Sequence, residues 1–238
     1  MRQRLDGERV AVFGGSSGVG LETAELALSL GASVTIASRS QKRLDAAAAP
    51  LRSVETVVLD VRAADRVADF FDSRDRFDHV VVSAAELTAS PLRQQPLSVA
   101  REAVESKYWG AVNVAHAARI TDGGTLTFVS GLLGSRPSGG ATILSTINAA
   151  LDTLAKALAT EMAPVRVNCV SPGRLDTPWW DHLPEDQRRQ LFAATAARLP
   201  VRRVGGPGEV AGQIVHLMLN DFIAGSVILV DGGGSVSP

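Results

Sequence analysis

Short apolar runs alternate along the chain with longer segments in which apolar residues recur every three or four positions. The short runs are typical of buried parallel strands, and the longer segments are typical of helices. Strands are predicted at residues 10–13, 33–37, 54–59, 79–83, 125–130, 165–170 and 227–230. Helices are predicted at residues 19–30, 41–48, 63–72, 98–119, 141–162 and 209–219. This alternation predicts an α/β fold, a doubly wound parallel sheet of about seven strands with helices on both faces.

The first predicted strand leads into a glycine-rich turn, and the first predicted helix follows at once. Glycines there permit a sharp turn, let the backbone approach a pyrophosphate and allow helix and strand to pack closely. The start of the helix adds free N–H groups and the positive end of its dipole. A flexible loop is the alternative interpretation. The predicted nucleotide-binding residues of this turn are Gly14, Ser16, Ser17, Gly18, Val19 and Gly20.

The end of the second predicted strand indicates which nucleotide would bind. An acidic residue there would bind the ribose 2′-hydroxyl and repel a 2′-phosphate, but Ser38 stands at that position and Arg39 follows it. A guanidinium can hold a phosphate by two charge-assisted hydrogen bonds. These residues favour NADP(H) over NAD(H). In the alternative, Arg39 belongs to a solvated basic helix start with Lys42 and Arg43.

Length and composition limit the other possibilities. The 238 residues suit one domain over 1–238, with a small substrate lobe at about 177–200. A net charge of −1 without a basic stripe argues against nucleic acid, and no apolar run reaches the roughly 18 residues of a membrane span. The single cysteine, Cys169, predicts an inert buried thiol and a cytoplasmic protein. The four histidines are scattered, so no metal site is expected.

Several motifs together resemble the short-chain dehydrogenase/reductase family. The spacing G-x-x-x-G-x-G after the first strand is similar to that of the family, although Phe13 stands where the family has Thr. Residues 167–173 (VNCVSPG), 203–210 (RVGGPGEV) and 225–233 (GSVILVDGG) resemble the family's later blocks. The resemblance covers residues 10–233. It implies a Rossmann-type sheet, a nicotinamide cofactor and hydride transfer to or from a carbonyl.

The resemblance also implies positions that contact the rest of the cofactor. Asp60 would hydrogen-bond the adenine amino group and Val61 would pack on the ring, and Asp60 could also, or only, cap the next helix. Small residues would lie under the ribose, and a later turn would contact the nicotinamide. These implied cofactor contacts are Ala84, Ala85, Pro172, Gly173, Leu175 and Thr177.

The catalytic residues that the family uses are absent. In the family a Tyr exchanges the proton, a Lys lowers the pKa of that Tyr, a Ser binds the carbonyl oxygen and an Asn completes a proton relay. The corresponding positions here are Leu144, Asn148, Gly131 and Lys107. The only tyrosine, Tyr108, has no lysine four residues on, so no Y-x-x-x-K pair exists in this chain.

Two of these replacements are reciprocal, because Lys107 replaces Asn and Asn148 replaces Lys. If both side chains face one cavity, Lys107 supplies the missing cation or acts as an acid with a lowered pKa. In the alternative, Lys107 points to solvent. Two functions therefore stay open. One is an atypical oxidoreductase whose proton comes from Lys107, water or the substrate, and the other is a non-catalytic NADP(H)-binding sensor or partner subunit.

Three further expectations concern surfaces. The predicted helices at 98–119 and 141–162 are apolar on more than one face, which predicts a homodimer or homotetramer through them. Trp179, Trp180 and His182 either line a substrate pocket or cover the core. Glu86 is expected to be a solvated loop charge. The substrate is a small molecule that the sequence does not identify.

Overall fold

In a computed structural model, which describes residues 3–51, 53–86 and 89–237, seven strands form one parallel sheet. The strand order is β3-β2-β1-β4-β5-β6-β7, so the chain reverses its direction of winding between β1 and β4. The strands are β1 (Arg9–Phe13), β2 (Ser33–Ser38), β3 (Glu55–Val58), β4 (Phe77–Val82), β5 (Ile120–Val129), β6 (Arg166–Pro172) and β7 (Val227–Val230). The predicted fold class is confirmed.

Helices connect the strands and cover both faces of the sheet. They are α1 (Gly18–Ser29), α2 (Gln41–Ala48), α3 (Ala64–Asp72), α4 (Leu97–Ala103), α5 (Gly110–Ala117), α6 (Thr142–Glu161), α7 (Glu185–Arg198) and α8 (Pro207–Leu219). Short 3-10 turns lie at Leu92–Gln94, Leu132–Gly134 and Pro178–Trp180.

The sheet is buried on both faces, which explains the continuous apolar runs in its strands. In β1, Ala11 and Phe13 point into one core cluster, where Phe13 contacts the rings of Phe70 and Phe71. Val10 and Val12 point the other way, into a second cluster with residues of α1 and α8. Successive strand residues face opposite sides of the sheet, so a single short run serves both cores.

The predicted helix at 98–119 is wrong in its extent and regularity. The structure has α4, then a π-helical segment at Val104–Trp109, then α5, which ends at Ala117. Strand β5 begins at Ile120, five residues before the predicted strand. The apolar pattern of the segment is compatible with an α-helix throughout, and it does not reveal the extra residue per turn of the π-helix. That segment carries Lys107 and holds it in the interior.

The predicted lobe at 177–200 contains a helix, α7, that the hydrophobic pattern did not indicate. Its sequence, EDQRRQLFAATAAR, has few large apolar residues, and none of its residues is fully buried. A helix that covers a cleft instead of a core lacks the wide apolar stripe by which helices are recognised in a sequence.

No helix in the described parts of the chain is long and apolar enough to cross a membrane. Within the same residues, no group of three or more His, Cys, Asp or Glu side chains is placed to hold a metal ion. Trp109, which lies in the region expected to mediate self-association, is 47% exposed. The homodimer or homotetramer stays a prediction.

Candidate active site

A large cleft opens where the central strands end at their carboxyl termini. Its volume is about 1470 Å³, and its walls come from the start of α1, the residues that follow β4 and β5, the end of β6 and the lobe around α7. In open parallel sheets this edge, near the point where the winding reverses, is the usual place for a ligand. The cleft is therefore the candidate site.

One end of the cleft is formed by the glycine-rich turn. Ser17, Gly18 and Val19 line it, α1 begins at Gly18, and the Ser17 side chain makes no capping hydrogen bond. The first turn of α1 contains no acidic residue. The free N–H groups of an uncapped helix start that faces a cleft suit the oxygens of a phosphate. These residues fit the pyrophosphate of a dinucleotide.

Gly14 holds this turn against the end of the neighbouring strand. Its φ is +88°, and a Cβ at this position would lie 2.6 Å from the backbone nitrogen of Ala84. A side chain is therefore excluded both by the backbone conformation and by the space available. The close approach explains why small residues follow β4 here.

Ser16 and Ser38 meet beside the turn, because the Ser16 hydroxyl donates to Ser38 Oγ at 2.9 Å. Next to them, Nη1 of Arg39 lies 2.8 Å from Oε2 of Glu86, and the two side chains are 42% and 50% exposed. Glu86 is an exposed loop residue, as expected, and it is in addition the ion-pair partner of Arg39. An incoming phosphate at Arg39 would therefore compete with a carboxylate that is already in place.

Asp60 and Val61 lie beyond the cleft wall. The Asp60 carboxylate accepts hydrogen bonds from the Arg62 guanidinium and, at 3.0 Å, from the Arg62 backbone nitrogen, and these bonds lower the pKa of Asp60. The expectation that Asp60 caps the next helix is wrong, because Ala63 occupies that position of α3. Val61 is buried against Gly110, so its side chain belongs to the core.

The cleft brings together ten of the residues predicted from the sequence. They are Ser17, Gly18, Val19, Ala85, Lys107, Asn148, Pro172, Gly173, Leu175 and Thr177. Eight others do not line it directly, although several support its walls. They are Gly14, Ser16, Gly20, Ser38, Arg39, Asp60, Val61 and Ala84.

Lys107 and Asn148 meet in the floor of the cleft. Lys107 is only 6% exposed, because its side chain points inward from the π-helical segment. Its Nζ donates to Asn148 Oδ1 at 2.7 Å and to the backbone oxygen of Ser130 at 2.6 Å. The alternative in which Lys107 points to solvent is wrong.

Burial changes the acidity of this lysine. It lowers the pKa of Lys107 from 10.5 to about 8, and the nearby Asp152 carboxylate opposes part of that effect. Arg43, Arg136, Arg174, Arg198, Asp181 and Asp231 are the other ionisable side chains of the lining, and none of them is fully buried. Lys107 is therefore the one buried ionisable group among the described residues that line the cleft.

Sequence reasoning missed Asp152, which lies one turn after Asn148 on α6. The Ser130 hydroxyl donates to Asp152 Oδ1 at 2.6 Å, and Sγ of Cys169 lies 3.3 Å from the same oxygen. Burial raises the pKa of the Cys169 thiol to about 12, so the thiol is neutral wherever Lys107 titrates. The spacing of four residues from Asn148 was the only available signal for Asp152.

The positions where the family has Ser and Tyr carry no hydroxyl. Leu144 presents an apolar side chain to the cleft. At Gly131 a Cβ would lie 2.8 Å from Nδ2 of Asn148, so the Asn148 amide occupies the space next to that backbone. A side chain at position 131 would therefore have to displace the Asn148 amide and adopt a strained backbone conformation.

Aromatic residues of the lobe form the outer wall of the cleft. The rings of Trp179 and Trp180 are 4.3 Å apart, and the Trp180 ring also contacts Phe192 of α7. The Trp180 indole nitrogen donates to the backbone oxygen of Leu175 at 2.9 Å, which ties the lobe to the end of the sheet. Both tryptophans line the cleft.

Known proteins match this chain over most of its length. Residues 14–235 match a family model described as enoyl-(acyl carrier protein) reductase. The chain is 34% identical over 248 residues to cis-4-hydroxycyclohexanecarboxylate dehydrogenase of Sinomonas cyclohexanicum, covering 95% of this chain and 96% of that protein. It is 30% identical over 249 residues to tropinone reductase-like 3 of Erythroxylum coca, covering 97% and 94%.

Two solved structures illustrate the likeness of the fold. A small-chain dehydrogenase in complex with NADPH has a TM-score of 0.85 and 30% identity, covering 97% of this chain and all of the other. A short-chain dehydrogenase/reductase from Brucella melitensis has a TM-score of 0.91 at 24% identity, covering 98% of each chain. At that identity, the second likeness concerns the fold alone.

Proposed function

Because the chain belongs to the short-chain dehydrogenase/reductase family of oxidoreductases, we propose that it uses NADP(H) and that Lys107 provides the proton in place of the family's tyrosine. One observation carries this proposal. The Lys107 amine is buried in the floor of the cleft, held by Asn148 Oδ1 and the Ser130 carbonyl, and its pKa is lowered to about 8. An acid for work near neutral pH needs a pKa in this region.

The residues of the cleft fit the nicotinamide cofactor. The uncapped start of α1 would hold the pyrophosphate, and Leu175 and Thr177 would contact the nicotinamide end. When bound in its reduced form, the nicotinamide supplies a hydride to a carbonyl carbon. The carbonyl oxygen then requires a proton from the protein.

Lys107 is arranged to give that proton. An ammonium group has three N–H donors, and two of them are used by Asn148 and Ser130. The third is left for a substrate oxygen in the cleft. Below a pH of about 8 the group is protonated and acts as the acid in reduction. Above it the neutral amine acts as the base in alcohol oxidation.

Preference for NADP(H) is proposed from Arg39 and from the small-chain dehydrogenase that was solved with NADPH. The relatives suggest the substrate class, because two of them are named for a hydroxycyclohexanecarboxylate and for tropinone. We therefore place small cyclic ketones and secondary alcohols first in a substrate screen. A cytoplasmic location and self-association through residues 98–119 and 141–162 belong to the same proposal.

The test combines binding with turnover. Calorimetry with NADPH and NADH comes first, and we expect NADPH to bind about tenfold more tightly. Lys107→Met should keep NADPH binding and lower turnover of the best ketone by about 10²–10⁴-fold. Lys156→Met, an exposed lysine on α6, serves as the control and should leave both quantities unchanged.

Two results would separate the candidate functions. Full turnover in Lys107→Met would assign the proton to water or to the substrate. NADPH binding with no turnover of any ketone or alcohol would favour the second candidate, a non-catalytic NADP(H)-binding sensor or partner subunit. Gly131 and Leu144 support that second candidate, because neither offers the hydroxyl that the family uses there.

A further inference from the structure

Cationic side chains outnumber carboxylates in the lining of the cleft, although the chain as a whole has a net charge of −1. Five cationic and two carboxylate side chains line it. They are Arg43, Lys107, Arg136, Arg174 and Arg198, against Asp181 and Asp231. Both carboxylates are already engaged, because Asp181 accepts from Arg188 at 2.8 Å and Asp231 accepts from the Gly233 and Ser235 nitrogens at 2.9 and 2.7 Å. The lining therefore carries three more cationic side chains than carboxylates.

Two of these arginines lie on the lobe side of the cleft. The Arg174 guanidinium donates to Oγ1 of Thr195 on α7 and lies 5.3 Å from the centre of the Trp180 ring. Arg198 follows Thr195 by three residues, so it lies on the same side of α7. Neither guanidinium has a carboxylate partner within the described residues. Burial lowers the pKa of Arg174, and repulsion by Arg198 adds to the effect.

The cofactor's phosphates do not explain this pair. The phosphate site is the turn at residues 14–20, and the basic residues near the ribose end are Arg39 and Arg43, at the start of α2. Arg174 is held instead by Thr195 and Trp180, which belong to the lobe. Two like charges held close together without a counterion lower the stability of the free protein, and an anion placed between them relieves the repulsion.

We propose that Arg174 and Arg198 bind a carboxylate of the substrate, which makes the substrate a small oxo or hydroxy acid. A guanidinium matches a carboxylate in shape and charge, and the aromatic wall formed by Trp179 and Trp180 suits the carbon skeleton that carries it. The assignment rests on the proposed function, because it places the reacting carbon between this pair and Lys107.

The experiment measures ligand binding and requires no turnover. The probes are cyclohexanecarboxylate, its neutral counterpart cyclohexanecarboxamide, and inorganic phosphate. Binding is followed by calorimetry and by the fluorescence of the tryptophans, with and without saturating NADPH. We expect the carboxylate to bind about tenfold more tightly than the amide. Arg174→Gln and Arg198→Gln should each remove that preference and leave the affinity for the amide unchanged.

Arg189→Gln is the matched control, since Arg189 is an arginine of α7 that pairs with Asp186 and does not line the cleft. Equal affinity for carboxylate and amide in the unmodified protein would overturn the assignment. Undetectable carboxylate binding, phosphate binding as tight as that of the carboxylate, or equal losses in Arg189→Gln would also overturn it. Failure of the proposed function gives a different pattern, in which the carboxylate preference persists in a protein whose turnover does not depend on Lys107.

Discussion

The two ends of the cleft are formed by different kinds of chemical groups. The nucleotide end is formed by backbone groups, namely the turn at Gly14 and the free N–H groups at the start of α1. The opposite end, here called the chemical end, is formed by the side chains of Lys107, Asn148 and Asp152. The first end carries a glycine spacing that resembles the family's motif, whereas the second is formed around a buried lysine.

This difference follows from the physical demands on each end. A backbone site requires a particular conformation that glycine alone allows, so almost any side chain at Gly14 would damage it. A side-chain site requires a cation, a proton and a fixed position, and more than one arrangement of residues can supply these. In this cleft a lysine amine and an amide lie in direct contact, because Lys107 donates a hydrogen bond to Asn148. The predictions below test the two ends in turn.

The largest effect is expected at the backbone end. Gly14→Ala should lower the free energy of unfolding by about 3–5 kcal/mol and abolish NADPH binding, because its Cβ would meet the Ala84 backbone at 2.6 Å. Thermal unfolding and calorimetry measure the two losses. Gly212→Ala is the control, since nothing lies within 4 Å of a Cβ there and the helix should gain about 0.5–1 kcal/mol. Normal NADPH binding by the Gly14 variant would contradict the backbone account.

The second prediction concerns the charge at the chemical end. The folded-state pKa of Lys107 is about 8, below its usual 10.5. Between these two values the unfolded chain binds more protons than the folded chain, so the contribution of Lys107 to stability rises with pH across this window. Lys107→Met removes this contribution. Its stability relative to the unmodified protein should therefore fall by about 3 kcal/mol from pH 8 to 10.5.

Chemical denaturation at several pH values measures this change. Lys156→Met supplies the reference, because an exposed lysine should give a constant difference across the same range. A constant difference for Lys107→Met as well would mean that Lys107 keeps an ordinary pKa, and the proposed acid would lose its basis.

The third prediction tests whether the amide really fills the place of a serine side chain. Gly131→Ala should cost about 1–3 kcal/mol, because its Cβ would lie 2.8 Å from Asn148 Nδ2. In an Asn148→Ala background the part of this cost that comes from the contact should disappear, while the part that comes from a side chain at a φ of +158° should remain. A double-mutant cycle of unfolding free energies measures this coupling. Additive effects would show that Gly131 and Asn148 do not share the space.

These regions also differ in how far the sequence predicts them. The central strands are recognisable because they are buried on both faces, and the phosphate turn because its glycines are required at fixed spacing. The sequence offered a shared cavity for Lys107 and Asn148 only as one of two alternatives, and the hydrogen bond between them decides for it. Contacts between side chains that are far apart in the sequence cannot be predicted from such local patterns. The partners Arg39 and Glu86 are 47 positions apart, and nothing local in either segment indicates the pairing.

Asp152 and α7 were missed for related reasons. Asp152 shares a helix with Asn148, yet its role depends on Ser130, which follows β5, and on Cys169, which lies within the neighbouring strand β6. Helix α7 covers the cleft without entering the core, so its hydrophobic pattern is weak. Sequence patterns report burial and backbone conformation well. They report poorly on polar contacts that form only after the chain has folded.

The smallest effect is expected where a side-chain contact adjoins the backbone end. Glu86→Gln should tighten NADPH binding by about two- to tenfold and leave NADH binding unchanged, because it removes the carboxylate that competes for Arg39. Arg39→Asp should weaken NADPH binding by about ten- to a hundredfold. Glu25→Gln, on the exposed side of α1, is the control. If Glu86→Gln weakened NADPH binding instead, Glu86 would be positioning Arg39 for the phosphate, and the nucleotide end would depend on side-chain geometry as much as the chemical end does.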